Sequence, residues 1–207
     1  MNKGILITME GTDGSGKSTQ INLLKNYLQS KGKDVVIIRE PGGTRIGEKI
    51  RDIILDKENT EMHKITEMLL YASSRAQLIQ EVIKPELSKG KCIICDRFVD
   101  SSYVYQGFAR NISLEKVLQV NEIALSGVTP DITIFFDITP EVSLKRKMKY
   151  SAGDRIELEK IEFHNNVYEG YKKLISLYPN RIKSLNANRS PENIFNDVKL
   201  LIENILD

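Results

Sequence analysis

Lys17 and Ser18 close the run Gly11-Thr12-Asp13-Gly14-Ser15-Gly16-Lys17-Ser18-Thr19, which fits the phosphate-binding pattern G-x-x-x-x-G-K-[S/T]. The chemistry follows from the residue types. Glycines lack a Cβ, so backbone N–H groups can close around phosphate oxygens. A helix starting at the lysine directs its N-terminus at the same point, which favours an anion. Lys17 is placed to reach the outer phosphates of a nucleotide, and the Ser18 hydroxyl to ligate Mg²⁺. The context agrees: Ile5-Leu6-Ile7-Thr8-Met9 reads as a buried strand, and Ile21, Leu23, Leu24, Tyr27 and Leu28 have the spacing of an amphipathic helix.

Further candidates stand where other apolar runs end. Asp96-Arg97-Phe98 closes Cys92–Asp96, pairing a carboxylate suited to organising Mg²⁺ with a cation suited to an anion. Arg39-Glu40-Pro41-Gly42-Gly43-Thr44 closes a second run, and its Pro and paired Gly mark a shaped turn. Tyr71 and Arg75 are four apart on a helix, so a ring and a guanidinium share a face. That pair reads either as a grip on a planar base or as a core Tyr beside a solvated Arg. Ser102, Tyr105 and Gln106 share another helical face, read either as a base-reading surface or as a solvated one. The cation-rich segment 145–155 contains Arg146, Lys149 and Arg155 around a flexible Ser-Ala-Gly-Asp stretch, the layout of a mobile lid that offsets phosphoryl charge. His63 and His164 read as non-catalytic in polar helical surroundings. Tyr168 and Tyr171 read as packing for the helix after the lid.

These residues need a frame. Strands are expected near 4–9, 35–39, 92–96, 132–137 and 181–186, most of them continuous aliphatic runs that fit a parallel sheet covered on both faces. Helical periodicity covers 17–30, 46–55, 64–88, 101–126, 141–177 and 191–205. Alternating strands and helices predict an α/β three-layer sandwich: a five-stranded parallel sheet, helices on both faces and a short lid over about 146–156. The expectation is one domain over 1–207. In such sheets the ligand crevice lies at the carboxyl ends of the strands.

Composition narrows the function classes. The net charge of +2 argues for neither a nucleic-acid nor a membrane partner. No apolar run approaches the ~20 residues of a membrane span. The first strand begins close to Met1, which leaves no room for a signal peptide, so the expected location is cytoplasmic. Cys92 and Cys95 are three apart in a strand and point to opposite faces, so they read as buried structural thiols. A GTPase-like switch needs a guanine-specifying N-K-x-D. The comparable late segment is Leu185-Asn186-Ala187-Asn188-Arg189-Ser190, better suited to cradling adenine.

Taken together, the phosphate loop, Arg39–Thr44, Leu69–Arg75, Asp96–Ser102 with Tyr105-Gln106-Gly107, and Asp154–Glu157 resemble the bacterial thymidylate kinases, a nucleoside monophosphate kinase family, over nearly the whole chain. The resemblance implies transfer of the ATP γ-phosphoryl to dTMP with Mg²⁺, in dTTP biosynthesis. It implies that residues 11–19 bind ATP and that Ser18 and Asp96 organise the metal. Asp13 then meets the sugar 3′-OH, and Arg97 holds the 5′-phosphate with Arg39 or Arg51 nearby. Arg75 bonds thymine, Ser102 meets its N3 edge, and Tyr105 sits where a 2′-OH would clash. Glu40 and Gln106 belong to the same pocket. Two departures stand out. The stacking position, commonly Phe, is Tyr71, and no Arg or Lys stands between Gly11 and Gly16. The subgroup it resembles places that cation in the lid, which leaves Arg146, Lys149 and Arg155 as candidates. The resemblance also implies a homodimer packed through 64–88 and 101–126, which carry Met68, Leu69, Leu78, Val117 and Leu118.

Overall fold

The computed structural model describes residues 4–147 and 153–206. Lys149, one of the lid candidates, lies outside them. The strands are β1 (Ile5–Glu10), β2 (Val35–Arg39), β3 (Cys92–Asp96), β4 (Ile132–Asp137) and β5 (Ile182–Asn186). They form one parallel sheet in the order β2-β3-β1-β4-β5. The helices are α1 (Lys17–Ser30), α2 (Arg45–Leu55), α3 (Lys64–Leu78), α4 (Lys84–Ser88), α5 (Val99–Ser102), α6 (Leu114–Leu125), α7 (Pro140–Lys147), α8 (Ile161–Leu177) and α9 (Pro191–Leu206).

Strand parity divides the core in two. Ile7 and Met9 of β1, Cys92 and Ile94 of β3, and Ile134 and Phe136 of β4 pack against α1 and α9. Leu6, Ile93, Cys95 and Phe135 point the other way, toward α3, α6 and α8. The two cysteines are free, buried and on opposite faces, as their spacing requires. The same parity places Thr8 and Glu10 with Leu6 on the α8 side. Because all five strands run the same way, the phosphate loop, Arg39, Asp96, Asp137 and Asn186 gather along one edge of the sheet.

Three expected helices are interrupted. The stretch 64–88 is helical throughout but loosens into a π-helical turn at Ile79–Ile83. Pro85, at the start of α4, has no N–H to donate, and the wider turn absorbs that loss. The stretch 101–126 breaks after a second π-helical segment, Tyr103–Ala109. Asn111 turns the chain there with φ 53°, a conformation its short polar side chain tolerates. The stretch 141–177 is two helices, α7 and α8, the first ending at Lys147. Met68, Leu78 and Val117, carried by the helices expected to pack the homodimer but open in sequence between contact and core, are buried in the chain's own core. Leu69 on α3 and Ile123 on α6 are the exposed apolar residues of those helices.

Candidate active site

Gly16 caps α1 with φ 96°, so Lys17 is the first helical residue and the N–H groups of the first turn face the loop. The Lys17 ammonium folds onto the loop, donating to the carbonyl oxygens of Gly11 (3.0 Å) and Thr12 (3.2 Å). Burial pushes its pKa down, and Arg97 pushes the same way. Helix α7 lies directly on this loop. Thr12 Oγ1 donates to Ser143 Oγ at 2.8 Å. A Cβ on Gly14 would stand 2.1 Å from the Ser143 carbonyl oxygen, so only glycine permits this approach. Lys147 is one helical turn beyond Ser143, on the same face of α7.

From the loop a cleft of about 250 Å³ extends toward α2 and α3. Its walls bring together Asp13, Ser18, Arg39, Glu40, Arg51, Tyr71, Arg75, Asp96, Arg97, Ser102, Tyr105 and Gln106, residues from the ends of β1, β2 and β3 and from the helical segments that follow them. Lys147, Asp154 and Glu157 close the side nearest the lid segment.

One end of the cleft is cationic. Arg97 occupies the left-handed region with φ 65°, donates to Asp13 Oδ1 at 3.1 Å and lies over the Tyr105 ring. Burial alone would raise the Asp13 pKa, but Arg97 and Lys17 hold its carboxyl well below the usual range. Arg39 and Arg51 both donate to the Pro41 carbonyl oxygen, at 3.2 and 2.8 Å. Burial and the neighbouring Arg39 charge lower the Arg51 pKa. Three guanidinium groups thus line one small space, an arrangement suited to a phosphate dianion.

The cleft floor is a buried polar cluster centred on Arg75. Its Nε and Nη2 donate to Glu40 Oε2 at 2.9 and 2.5 Å, Nη1 to Ser102 Oγ at 2.9 Å and to Asn121 Oδ1, and Nη2 also to the Phe98 carbonyl at 3.2 Å. All five donors of the guanidinium are therefore engaged within the protein. Burial raises the Glu40 pKa to about 7 against the pull of Arg75, and its Oε1 is buried without a partner. Gln106 donates its amide to Glu67 Oε1 at 3.0 Å. Tyr71 is half-buried on the cleft wall.

At the phosphate-loop end, Asp96 Oδ1 is buried with no hydrogen-bond partner, and Ser18 lines the same cleft. One unsatisfied carboxylate oxygen beside a hydroxyl suits Mg²⁺, which keeps water and substrate phosphates as its remaining ligands. No group of three or more His, Cys, Asp or Glu side chains placed to hold a metal ion occurs among the described residues.

The lid cations separate. Arg146 turns away from the cleft and donates to Asn188 Oδ1 at 2.8 Å, beside the segment read as an adenine cradle. Arg155 is held by the Ile54 carbonyl (2.8 Å) and Glu67 Oε2 (2.7 Å), against α2 and α3 rather than the phosphate loop. Lys147, which the sequence reading passed over within its cationic run, faces the cleft and pairs with Glu157 at 3.2 Å. Of the other supporting residues, Glu67 had no sequence signal. Glu67 is 1% exposed and also accepts two bonds from Arg110 at 3.1 Å. His164, expected in polar surroundings, is buried with its ring edge-on to Phe163. Tyr168 and Tyr171 pack against Phe135, and their hydroxyls donate to Asp137 and Glu10.

Comparison with known proteins agrees with this geometry. A family model described as thymidylate kinase matches residues 9–198. A thymidylate kinase of Caldanaerobacter subterraneus subsp. tengcongensis is 56% identical over 179 residues, covering 86% of this chain and 85% of its own. One of Thermoanaerobacter sp. strain X514 is 52% identical over 95% of this chain and 96% of its own. The crystal structure of thymidylate kinase from Ehrlichia chaffeensis superposes with a TM-score of 0.79 at 29% identity, covering 97% of this chain and 99% of that one.

Proposed function

The chain belongs to the thymidylate kinase family and uses ATP to phosphorylate dTMP to dTDP, and from that premise we propose how its residues divide the work. The observation that carries the assignment is a single cleft lined by the phosphate-loop residues Asp13 and Ser18, by Arg97 paired with Asp13, by Arg39 and Arg51, and by Tyr71 and Arg75. Two anionic nucleotides fit end to end along it. Residues 11–19 and Lys17 hold the ATP phosphates, with adenine lying near Arg146 and Asn188. Arg97 and Arg51 hold the 5′-phosphate of dTMP, Tyr71 stacks on the base, and Tyr105 lies against the deoxyribose. Asp13, already beside Arg97, meets the 3′-OH. Ser102 presents the base-facing edge, held by Arg75, whose donors are all taken up by Glu40, Ser102, Asn121 and the Phe98 carbonyl.

Ser18 and Asp96 would hold Mg²⁺, which would supply charge neutralisation to the nucleotide phosphates. A 5′-phosphate oxygen of dTMP attacks the γ-phosphorus, and the bond from that phosphorus to the β–γ bridging oxygen breaks. ADP leaves with that electron pair. The nucleophile is already an anion, so no side chain has to remove a proton. The protein's contribution is alignment and charge compensation. Segment 146–156 acts as the lid, with Lys147 as the cation that meets the transferring phosphoryl group. Closure keeps water from competing with dTMP.

We place the enzyme in the cytoplasm as a homodimer joined through the exposed faces of α3 and α6, where Leu69 and Ile123 lie. No helix among the described residues is long and apolar enough to cross a membrane. The assignment is tested by incubating the purified chain with ATP, Mg²⁺ and, in turn, dTMP, dUMP, dCMP and dGMP, and identifying each diphosphate. Rapid dTDP formation is expected. Equal or faster turnover of another monophosphate would overturn the substrate assignment.

A further inference from the structure

Arg97 is the residue on which the phosphate geometry turns, and its backbone is unusual. A non-glycine residue in the left-handed region is strained and persists only where its surroundings over-determine it. Arg97 is held from both sides. Its N–H donates to the Met9 carbonyl at 3.0 Å, and its own carbonyl accepts from Cys95 Sγ at 2.9 Å. The turn that follows is tied to Glu10, the last residue of β1. Glu10 Oε1 accepts from the Phe98 N–H at 2.8 Å and the Ser101 N–H at 3.3 Å. Glu10 Oε2 accepts from the Ser101 hydroxyl at 2.6 Å and from the Tyr171 hydroxyl at 2.7 Å. Ser101 Oγ also stands 3.4 Å from Arg97 Nη1, so the same hydroxyl touches the guanidinium and its support.

Glu10 is fully buried, and strand parity points it away from the phosphate loop toward α8. It is too deep to touch either nucleotide. Tyr171 reaches it from 161 residues away, on the helix that follows the lid segment. The Tyr171 ring is fixed by stacking on Phe135 at 4.7 Å, which leaves the hydroxyl directed at Glu10.

We infer that Glu10 and Tyr171 are positioning residues for the 5′-phosphate of dTMP, holding the Arg97 turn from β1 and from α8. The inference rests on the reading that Arg97 receives that phosphate. It assigns the α8 tyrosine a role in recognising one group of one substrate. A tyrosine that merely filled the core would affect every ligand of the cleft alike.

Tyr171→Phe tests this, because it removes the hydroxyl and keeps the ring stacked on Phe135. Calorimetry on the full chain would compare dTMP with thymidine, which has the same base and sugar but no phosphate. Losing one hydrogen bond to a charged group should weaken dTMP binding by about tenfold. Thymidine binding should stay within about twofold, the usual scatter for uncoupled sites. kcat/KM for dTMP should fall in parallel, while KM for ATP is unchanged. Ser101→Ala combined with Tyr171→Phe should lose less than the product of the two single losses, since both act through Glu10. Glu10→Gln should act in the same direction. If it fails to fold, Tyr171→Phe still decides the matter. Equal loss for dTMP and thymidine, or no loss for either, overturns the inference. Arg97→Ala separates the two levels. If it leaves the preference for dTMP over thymidine intact, the underlying reading of Arg97 fails. If it abolishes that preference and Tyr171→Phe does not change it, only the positioning role fails.

Discussion

Lys147 and Arg155 are both cations of the lid segment, and the structure predicts opposite consequences for their loss. Lys147 lies on the α7 face that packs on the phosphate loop, at the cleft, and its ion pair with Glu157 is partly exposed. Such a pair contributes little to stability. Lys147→Ala should therefore melt close to wild type. Removing one donor from a developing phosphoryl charge should lower kcat by about 10²–10³-fold, or roughly 3–4 kcal/mol in the barrier. Arg155 is 11% exposed at its side chain and donates to the Ile54 carbonyl and to Glu67. Glu67 keeps Arg110 and Gln106 when Arg155 is lost, so no buried charge is stranded. Arg155→Ala then loses one neutral and one charged hydrogen bond, about 2–4 kcal/mol. In a chain of this size that lowers Tm by very roughly 5–15 °C. Its kcat, measured well below that Tm at saturating ATP and dTMP, should stay within about tenfold of wild type, far from the loss expected of a phosphoryl donor. Thermal melts and coupled-assay kinetics on both variants decide the matter. A stable Arg155→Ala with collapsed kcat, beside a Lys147→Ala that turns over normally, would refute the reasoning.

Lys17→Ala and Arg97→Ala should each cut turnover by about 10²-fold or more while circular dichroism stays native, because both charges serve the cleft. Chelation should abolish dTDP formation and added Mg²⁺ restore it, with little change in the Tm of the nucleotide-free chain, since Ser18 and Asp96 supply too few ligands to hold the ion alone. Gly14→Ala places a Cβ 2.1 Å from the Ser143 carbonyl oxygen at φ 84°, so α7 must shift; both Tm and kcat should fall in paired melting and kinetic assays. Burial would raise the Glu67 pKa, but Arg110, Gln106 and Arg155 bring it below 4.5, so its stabilisation is complete above that pH and is lost as pH falls through the lower native value. Glu67→Gln should accordingly melt lower than wild type at neutral pH, and the gap should close as the melts are taken into acid.

The sheet was legible because parallel strands buried on both faces are written as uninterrupted β-branched runs. Cys92–Asp96 and Ile132–Asp137 could be bounded closely for that reason, and the partly exposed edge strand Val35–Arg39 by its aliphatic run alone. Their ends then located Asp96, Arg97, Arg39 and Glu40 without knowledge of the fold. The helices were less legible. Periodicity runs through a break when both flanking helices bury the same side, as at 110–113, where only Asn111 marked the turn. The lid cations were indistinguishable in sequence, since a run of Lys and Arg carries no record of which one faces the cleft. Lys147 was separated from Arg146 by the contact of Ser143 with the phosphate loop, across 131 residues. Glu67, Asn121 and the hydrogen bond of Tyr171 to Glu10 were invisible for the same reason. Each residue is an ordinary one for its helix, and its partners lie 39 to 161 residues away.

The charges in the cleft show why its ligands should matter to the fold as well as to the chemistry. Arg39 has Glu48 at 2.9 Å and Arg97 has Asp13 at 3.1 Å, so each cation carries a local counter-ion. Arg51 has only the Pro41 carbonyl oxygen as a hydrogen-bond acceptor among the described residues, and its pKa is lowered by burial and by Arg39. Burial and Arg39 thus disfavour the charged form of Arg51, and Glu48 and Asp154 offset them only in part. A dianionic phosphate entering between the two guanidinium groups relieves their repulsion, whereas an uncharged nucleoside cannot. A ligand at a hundred times its Kd stabilises the native state by about 2.7 kcal/mol whatever the contacts. The electrostatics decide which ligand reaches that ratio at a given concentration. Relief of that repulsion is one contribution to affinity for the monophosphate, and Arg51 is where it is made.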